Sequence, residues 1–103
     1  MTMTGKERAA LRSECNRLRA MIHVGQEGLT ETLGDALDDA LRTRELVKIQ
    51  LTKSADGSAK ELAQLLAGQL GAEVIQTIGR TATLYRHNPK LKRKPGSPPP
   101  WRE

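Results

Sequence analysis

The chain has no phenylalanine, one tyrosine (Tyr85) and one tryptophan (Trp101), so whatever core it builds must be aliphatic. Its single cysteine, Cys15, excludes an internal disulfide, and with only His23 and His87 beside it there is no zinc-ligand spacing. No stretch nears the roughly 18 consecutive apolar residues of a membrane-spanning helix. The first ten residues are polar, and no apolar segment of the kind that directs secretion follows them. GxGxxG and the Gly-Lys-Ser/Thr ending of a phosphate loop are both missing, which disfavours dinucleotide binding and nucleotide hydrolysis. What these absences leave is a reduced, cytoplasmic protein with no metal and no cofactor, whose 103 residues suffice for one modest core.

Charge is present in quantity but unevenly placed. Residues 1–85 hold eleven basic and eleven acidic side chains, so the formal net charge of +5 lies entirely in the tail from Arg86 onward. Within the neutral body, Lys6, Arg8, Arg12, Arg17 and Arg19 outnumber Glu7 and Glu14, whereas residues 27–39 carry five acids and no base. Such sorting suits a protein that lays one face on phosphates. A solvated surface with a solubilising tail is the plainer reading of charge alone.

Hydrophobic periodicity gives the order helix, strand, helix, strand, helix, strand, strand. Thr4 with Glu7 forms a capping box, and Leu11, Cys15, Leu18 and Ile22 recur at helical spacing, which predicts a helix over 5–19. Residues 21–24 read as a short buried strand ending at Gly25. Thr30 is the N-cap of a second helix whose apolar face is Leu33, Ala36, Leu37, Ala40 and Leu41. A strand is expected over 45–52, with Val47, Ile49 and Leu51 on one face and Leu46, Lys48 and Gln50 on the other. Asp56-Gly57 makes a turn, and Ser58 with Glu61 opens a third helix, carrying Leu62, Leu65, Leu66 and Leu70 inward until Gly71 stops it. Strands over 72–78 and 81–86 are joined by Gly79-Arg80, the signature of a type II′ hairpin with Arg80 at its exposed tip. Crossover helices imply parallel strands and the hairpin an antiparallel pair, so the fold class is α/β, a single domain with a four-stranded mixed sheet. Residues 1–87 form the domain. Residues 88–103, with five prolines and the cluster Lys90, Lys92, Arg93 and Lys94, read as a basic, disordered tail.

The most telling local feature is Gly25-Gln26-Glu27-Gly28, between a strand and a strongly marked helix. Two glycines three apart let the backbone approach a ligand, and the helix that follows offers unpaired amides to a phosphate oxygen. A GXXG loop in KH domains clamps the backbone of single-stranded RNA from such a position. Two glycines in a strand-to-helix turn also serve simply as turn residues.

Four blocks extend this signal. Met21-Ile22-His23-Val24-Gly25-Gln26-Glu27-Gly28-Leu29-Thr30, Arg44-Glu45-Leu46-Val47-Lys48-Ile49, Gly71-Ala72-Glu73-Val74-Ile75-Gln76-Thr77-Ile78-Gly79-Arg80 and Leu84-Tyr85-Arg86 occur in order. Together they resemble the CRM domain (chloroplast RNA splicing and ribosome maturation) in its stand-alone bacterial YhbY-like form, over about residues 5–86. The resemblance implies a fold akin to KH domains and the C-terminal domain of initiation factor three. It also implies RNA binding, association with precursors of the large (50S) ribosomal subunit, and no enzymatic activity. Carried over by position, the RNA-contacting loop is Gly25, Gln26, Glu27 and Gly28, and the basic hairpin residue is Arg80. Arg8, Arg12, Arg17 and Arg19 supply the supporting surface. Arg86 and the tail cations Lys90, Lys92, Arg93 and Lys94 complete the expected RNA contacts. Many relatives carry Lys after the first loop glycine, where this chain has Gln26 and then Glu27. An acid beside a phosphate is repulsive at close range, so either Glu27 points away or the loop contributes less than the arginines.

The remaining candidates read as structural. His23, on a short apolar strand without a nucleophile and acid beside it, is expected to be a packed or hydrogen-bonded residue. Cys15 falls in register with Leu11 and Leu18 as a small core hydrophobe. Lys48 is expected on a solvated sheet face. A lone Tyr85 does not support recognition by repeated base stacking, leaving backbone and shape recognition. Pro98-Pro99-Pro100-Trp101 reads as a floppy end ahead of a polyproline ligand or a stacking tryptophan. The leading expectation is a non-catalytic protein, a monomer, that docks on ribosomal RNA during 50S assembly. The alternatives are a factor for intron splicing and a protein-interaction adaptor using the acidic helix and the proline-rich tail.

Overall fold

Thr4 starts the first element: its hydroxyl accepts the Glu7 backbone N–H at 3.1 Å, and the Glu7 carboxylate accepts the Thr4 N–H at 3.4 Å. This reciprocal box opens α1 (Gly5–Cys15) in the computed structural model, which describes residues 4–26, 30–53, 57–91, 99 and 101. There follow β1 (Ile22–Val24), α2 (Glu31–Arg44), β2 (Leu46–Leu51), α3 (Ala59–Leu70), β3 (Glu73–Ile78) and β4 (Thr81–Tyr85). Thr30 and Ser58 cap α2 and α3 by accepting the backbone N–H groups of Leu33 and Glu61. Gly71, at φ 65°, ends α3 in the left-handed region that favours glycine.

The seven elements make one domain with a mixed sheet in the order β1-β2-β4-β3. β1 and β2 are parallel, connected through α2, and the other two pairs are antiparallel. The β3–β4 turn has positive φ at Gly79 but not at Arg80, the sign pattern of the expected type II′ hairpin.

Aliphatic side chains fill both sides of the sheet. Val24, Val47, Ile49, Leu51, Ala82 and Leu84 meet Leu37 and Leu41 of α2 and Ala63 and Leu66 of α3. A smaller core joins Leu11 and Cys15 of α1 to Leu46 and Ile75, with Leu18, Tyr85 and Trp101 against it. Leu46 is therefore 1% exposed, although alternation along β2 put it on a solvated face. α1 covers part of that face and shelters it.

Other expectations are corrected too: Leu65 of α3, expected to face inward, is 57% exposed. The first helix ends at Cys15, four residues early: Lys48 Nζ donates to the carbonyls of Cys15 (3.3 Å) and Leu18 (3.4 Å) and satisfies oxygens that a continuing helix would have bonded. Lys48 is accordingly a half-buried cap for α1. His23 is exposed, because α1 packs on β3 and leaves the β1 side of this face open. Glu45 is the C-cap of α2, at φ 66° and fully buried, and β2 begins one residue after it. Its carboxylate accepts the Asn88 N–H at 2.6 Å and pairs with His87 Nδ1 at 3.3 Å.

Trp101, expected at a floppy end, stands edge-on to Tyr85 with ring centroids 6.2 Å apart. Burial raises the pKa of both Cys15 and Tyr85, with the neighbouring Glu7 adding to the effect on Tyr85.

Truncating Leu37, which is 0% exposed, to Ala is expected to cost about 2–5 kcal/mol, read as a lower urea midpoint at unchanged m-value. Cys15 and Tyr85 hold their protons more tightly folded than unfolded. Their contribution to stability is therefore complete below the unfolded thiol value of 9.0 and is lost as pH rises through the raised folded values. Cys15→Ser is expected to flatten the alkaline limb of a stability profile measured by urea unfolding.

Candidate nucleic-acid interface

Parallel pairing carries the C-terminal ends of β1 and β2 to one edge of the sheet, and the antiparallel hairpin brings its tip to the same edge. The three chain segments meet at Thr52. Its N–H donates to the Val24 carbonyl at 2.8 Å, and its carbonyl accepts from Arg80 Nη2. Arg80 Nε also donates to the Leu51 carbonyl at 3.3 Å, and the Leu51 N–H donates to the Arg80 carbonyl at 2.8 Å. Arg80 is exposed, as expected of a hairpin tip, but its guanidinium is folded back over the end of β2 instead of extending into solvent. A Cβ built on Gly25 would meet only Thr52 Oγ1, at 3.9 Å. Gly25 and Arg80, 55 positions apart in sequence, thus share one neighbour.

The start of α2 lies at this edge too. Thr30 opens α2 beside Gly25, and a groove of about 550 Å³ runs between β1 and the first turns of α2, lined by Ile22, His23, Gly25, Gln26, Thr30 and Leu33 among others. Gln26 is exposed. Glu27 and Gly28 lie outside the described residues, as do Lys92, Arg93 and Lys94. On the face left open by α1, the strand register sets His23, Gln50, Thr81 and Ile78 in a single cross-strand row next to this edge. Ile78 is 56% exposed there.

The expected arginines do not ring the loop. Arg8 is held at the β3 edge by Glu73 (2.6 Å) and by the Val74 carbonyl (3.1 Å). Arg12 is exposed on α1. Arg17 and Arg19 follow the end of α1, and they line a pocket with Arg44, Leu46 and Lys48 at the opposite end of β1 and β2. Arg86 is also at that opposite end. It bridges α2 and α3 through the Asp38 carboxylate (2.7 Å), the Asp38 carbonyl (3.1 Å) and the Leu70 carbonyl (2.9 Å). Lys90 is exposed, its backbone N–H held by the Asn88 side chain at 3.0 Å.

Two participants escaped the sequence reading. Thr52 is the junction of the edge, and a threonine ending a strand carries no signal until the register is known. Arg44 faces the Arg17 and Arg19 pocket, and sequence position marks it only as a cation in the last turn of α2. Among the described residues no cluster of three His, Cys, Asp or Glu side chains could hold a metal ion, and no helix is long and apolar enough to cross a membrane.

Residues 3–86 match the family model of the CRS1 / YhbY (CRM) domain. The chain is 29% identical over 90 residues to a Bacillus subtilis protein named Probable RNA-binding protein YqeI, covering 87% of this chain and 94% of that one. It is 31% identical to the Pseudomonas aeruginosa Probable RNA-binding protein PA4753, covering 87% and 86% respectively. Among solved structures, a hypothetical protein of Staphylococcus aureus, described with its solution structure as a candidate RNA-binding protein, superposes with a TM-score of 0.73 at 31% identity. That match covers 88% of this chain and 95% of the other.

Arg86 ties two helix segments together through three partners, one of them charged. Replacing it with Ala removes the Asp38 ion pair and leaves the Leu70 carbonyl at the end of α3 without this donor, and is expected to cost about 1–3 kcal/mol, a range that allows for solvent screening of the ion pair. Thermal unfolding monitored by circular dichroism reads this loss.

Proposed function

The chain belongs to the CRS1/YhbY (CRM) domain family, and on that premise we propose that it is a non-catalytic, cytoplasmic RNA-binding protein that docks on precursor large-subunit ribosomal RNA during 50S assembly. The observation that carries the reading is the meeting of Gly25 and Arg80 at Thr52. Gly25 has neither a positive φ nor an internal neighbour that a Cβ would strike. Among the described residues nothing demands a glycine there, and the bare backbone serves approach from outside.

In this reading an RNA phosphate lies over the loop that Gly25 begins, at the start of α2, where backbone amides and the positive end of the helix dipole favour an anion. Arg80 supplies the nearest full positive charge. Because its fork is already fixed by backbone carbonyls, little conformational freedom is lost when a phosphate adds to it. Gln26 is a neutral donor at the rim. Contacts of this kind fix the register of a nucleic acid and read its shape more than its sequence. Lys90, Lys92, Arg93 and Lys94 add affinity through their charge. Arg8 and Arg86 are assigned to the fold, each being paired with a carboxylate from another element, Glu73 and Asp38 respectively. Relatives named as RNA-binding proteins in two bacterial species support the partner class.

The paired substitution Gly25→Asp and Gly28→Asp is expected to lower affinity for ribosomal RNA at least tenfold, while circular dichroism stays unchanged. For the unaltered protein, log affinity should fall against log salt by roughly 0.7 to 0.9 per phosphate neutralised. Crosslinking in living cells followed by sequencing of the attached RNA is expected to recover precursor large-subunit RNA. Recovery of introns would point to a splicing factor, and recovery of no RNA with retained protein partners to an adaptor.

A further inference from the structure

The pocket at the other end of β1 is rich in cations. About 510 Å³ in volume, it is lined by Arg17, Arg19, Arg44 and Lys48 against a single acid, Glu14, with Leu18, Met21 and the indole of Trp101 as apolar walls. These cations come from three separate places: the connection after α1, the last turn of α2 and the middle of β2. Among the described residues Arg17, Arg19 and Arg44 form no ion pair of their own, whereas Arg8 and Arg86 do. Gathering like charges costs Coulomb energy, which an anion in the pocket relieves. Lys48 is spoken for in part, holding the Cys15 and Leu18 carbonyls, so it enters as a fixed charge.

The apolar side of the pocket is equally specific. Met21 is 44% exposed, and Trp101 is the only indole in the chain. Trp101 Nε1 is shielded from solvent and has no hydrogen-bond partner among the described residues, so the ring, not its N–H, is what the pocket presents. Guanidinium forks beside an aromatic and aliphatic wall match a phosphate attached to a flat heterocycle.

We propose that this pocket is a second nucleotide seat, which takes one unpaired nucleotide of the same RNA that contacts the Gly25 edge. Its phosphate lies among Arg17, Arg19 and Arg44, and its base lies against Met21 and Trp101. This proposal rests on the RNA-binding reading and adds a subsite to it. β1 itself forms the path between the two sites: Met21 stands at one end and Gly25 at the other, about 13 Å apart at the rise of an extended strand. Exposed His23 lies between them. A strand of a few nucleotides therefore spans both sites without leaving the protein.

Trp101, as the sole tryptophan, reports on its own pocket. Fluorescence of the full chain is titrated at low salt with uridine monophosphate, with inorganic phosphate and with an oligouridylate of about 12 nucleotides. The oligonucleotide is expected to quench Trp101. Uridine monophosphate should do so at much higher concentration, and phosphate should compete with it. Arg44→Glu and Arg19→Glu are each expected to weaken oligonucleotide binding at least tenfold and to lower the salt slope by about one unit. Arg44→Lys, which keeps charge without the fork, should retain part of the affinity. Arg19 lies outside the helices, so its variant guards against a loss that merely reflects a damaged α2 terminus. Quenching by uridine monophosphate that persists in the Gly25→Asp and Gly28→Asp protein supports a seat independent of the loop. Unchanged affinity and salt slope in both Arg→Glu variants, with the glycine variant still defective, overturns the pocket and leaves the RNA-binding reading standing. Quenching by phosphate alone, with no added response to the nucleotide, reduces the pocket to a simple anion site and also overturns the proposal. Failure of the oligonucleotide to bind any form of the protein removes both readings.

Discussion

Parallel pairing of β1 with β2 is the constraint on which the rest of the molecule depends. Two parallel strands cannot be joined by a tight turn, so the chain must cross over, and α2 makes that crossing. As a result the segment leaving β1 and the start of α2 lie at the same edge as the end of β2. Adding the antiparallel hairpin beside β2 sends its tip to that edge as well. Gly25, Thr52 and Arg80 are neighbours because of topology, and the hydrogen bonds at Thr52 record that geometry without creating it.

The second organising contact is the one made by Lys48. An ammonium group holds the carbonyl of Cys15, the last residue of α1, together with that of Leu18 three residues beyond, where the chain turns toward β1. Arg17 and Arg19 are thereby moved off the helix and onto the wall of a pocket that Arg44 and Trp101 complete. Had α1 continued to residue 19, as its apolar spacing suggests, those arginines would project from a helical surface. The placement of Arg17 and Arg19 thus follows from where α1 ends.

Much of the fold was legible because its signals are local. The caps Thr4, Thr30 and Ser58, the stop at Gly71 and the hairpin at Gly79-Arg80 are each set by side-chain chemistry within four residues, and all are found where that chemistry places them. Alternation along β2 gave the inward face Val47, Ile49 and Leu51 correctly and misjudged the opposite face, since only the tertiary placement of α1 decides that Leu46 is buried and Gln50 is not. Glu45 shows the same limit: a carboxylate at a strand start looks solvated until Asn88 and His87, more than forty positions away, close over it. Of the interface, the glycine loop and Arg80 were visible as motifs. The division of the arginines was not visible, because it depends on whether each guanidinium meets a carboxylate or carbonyl from a distant element. Arg8 and Arg86 do so. Arg17, Arg19 and Arg44 form no ion pair among the described residues.

The central claim is that RNA lies on the sheet edge where Gly25, Thr52 and Arg80 meet. Backbone amide chemical shifts of isotope-labelled protein, followed as a ribosomal RNA fragment is added, test it most directly. The account predicts that the largest changes fall at Gly25, Gln26, Thr52 and Arg80, with a second group near Met21 and Arg44. Changes confined to the acidic face of α2 and to residues 86–91, with the Gly25 edge silent, would contradict it.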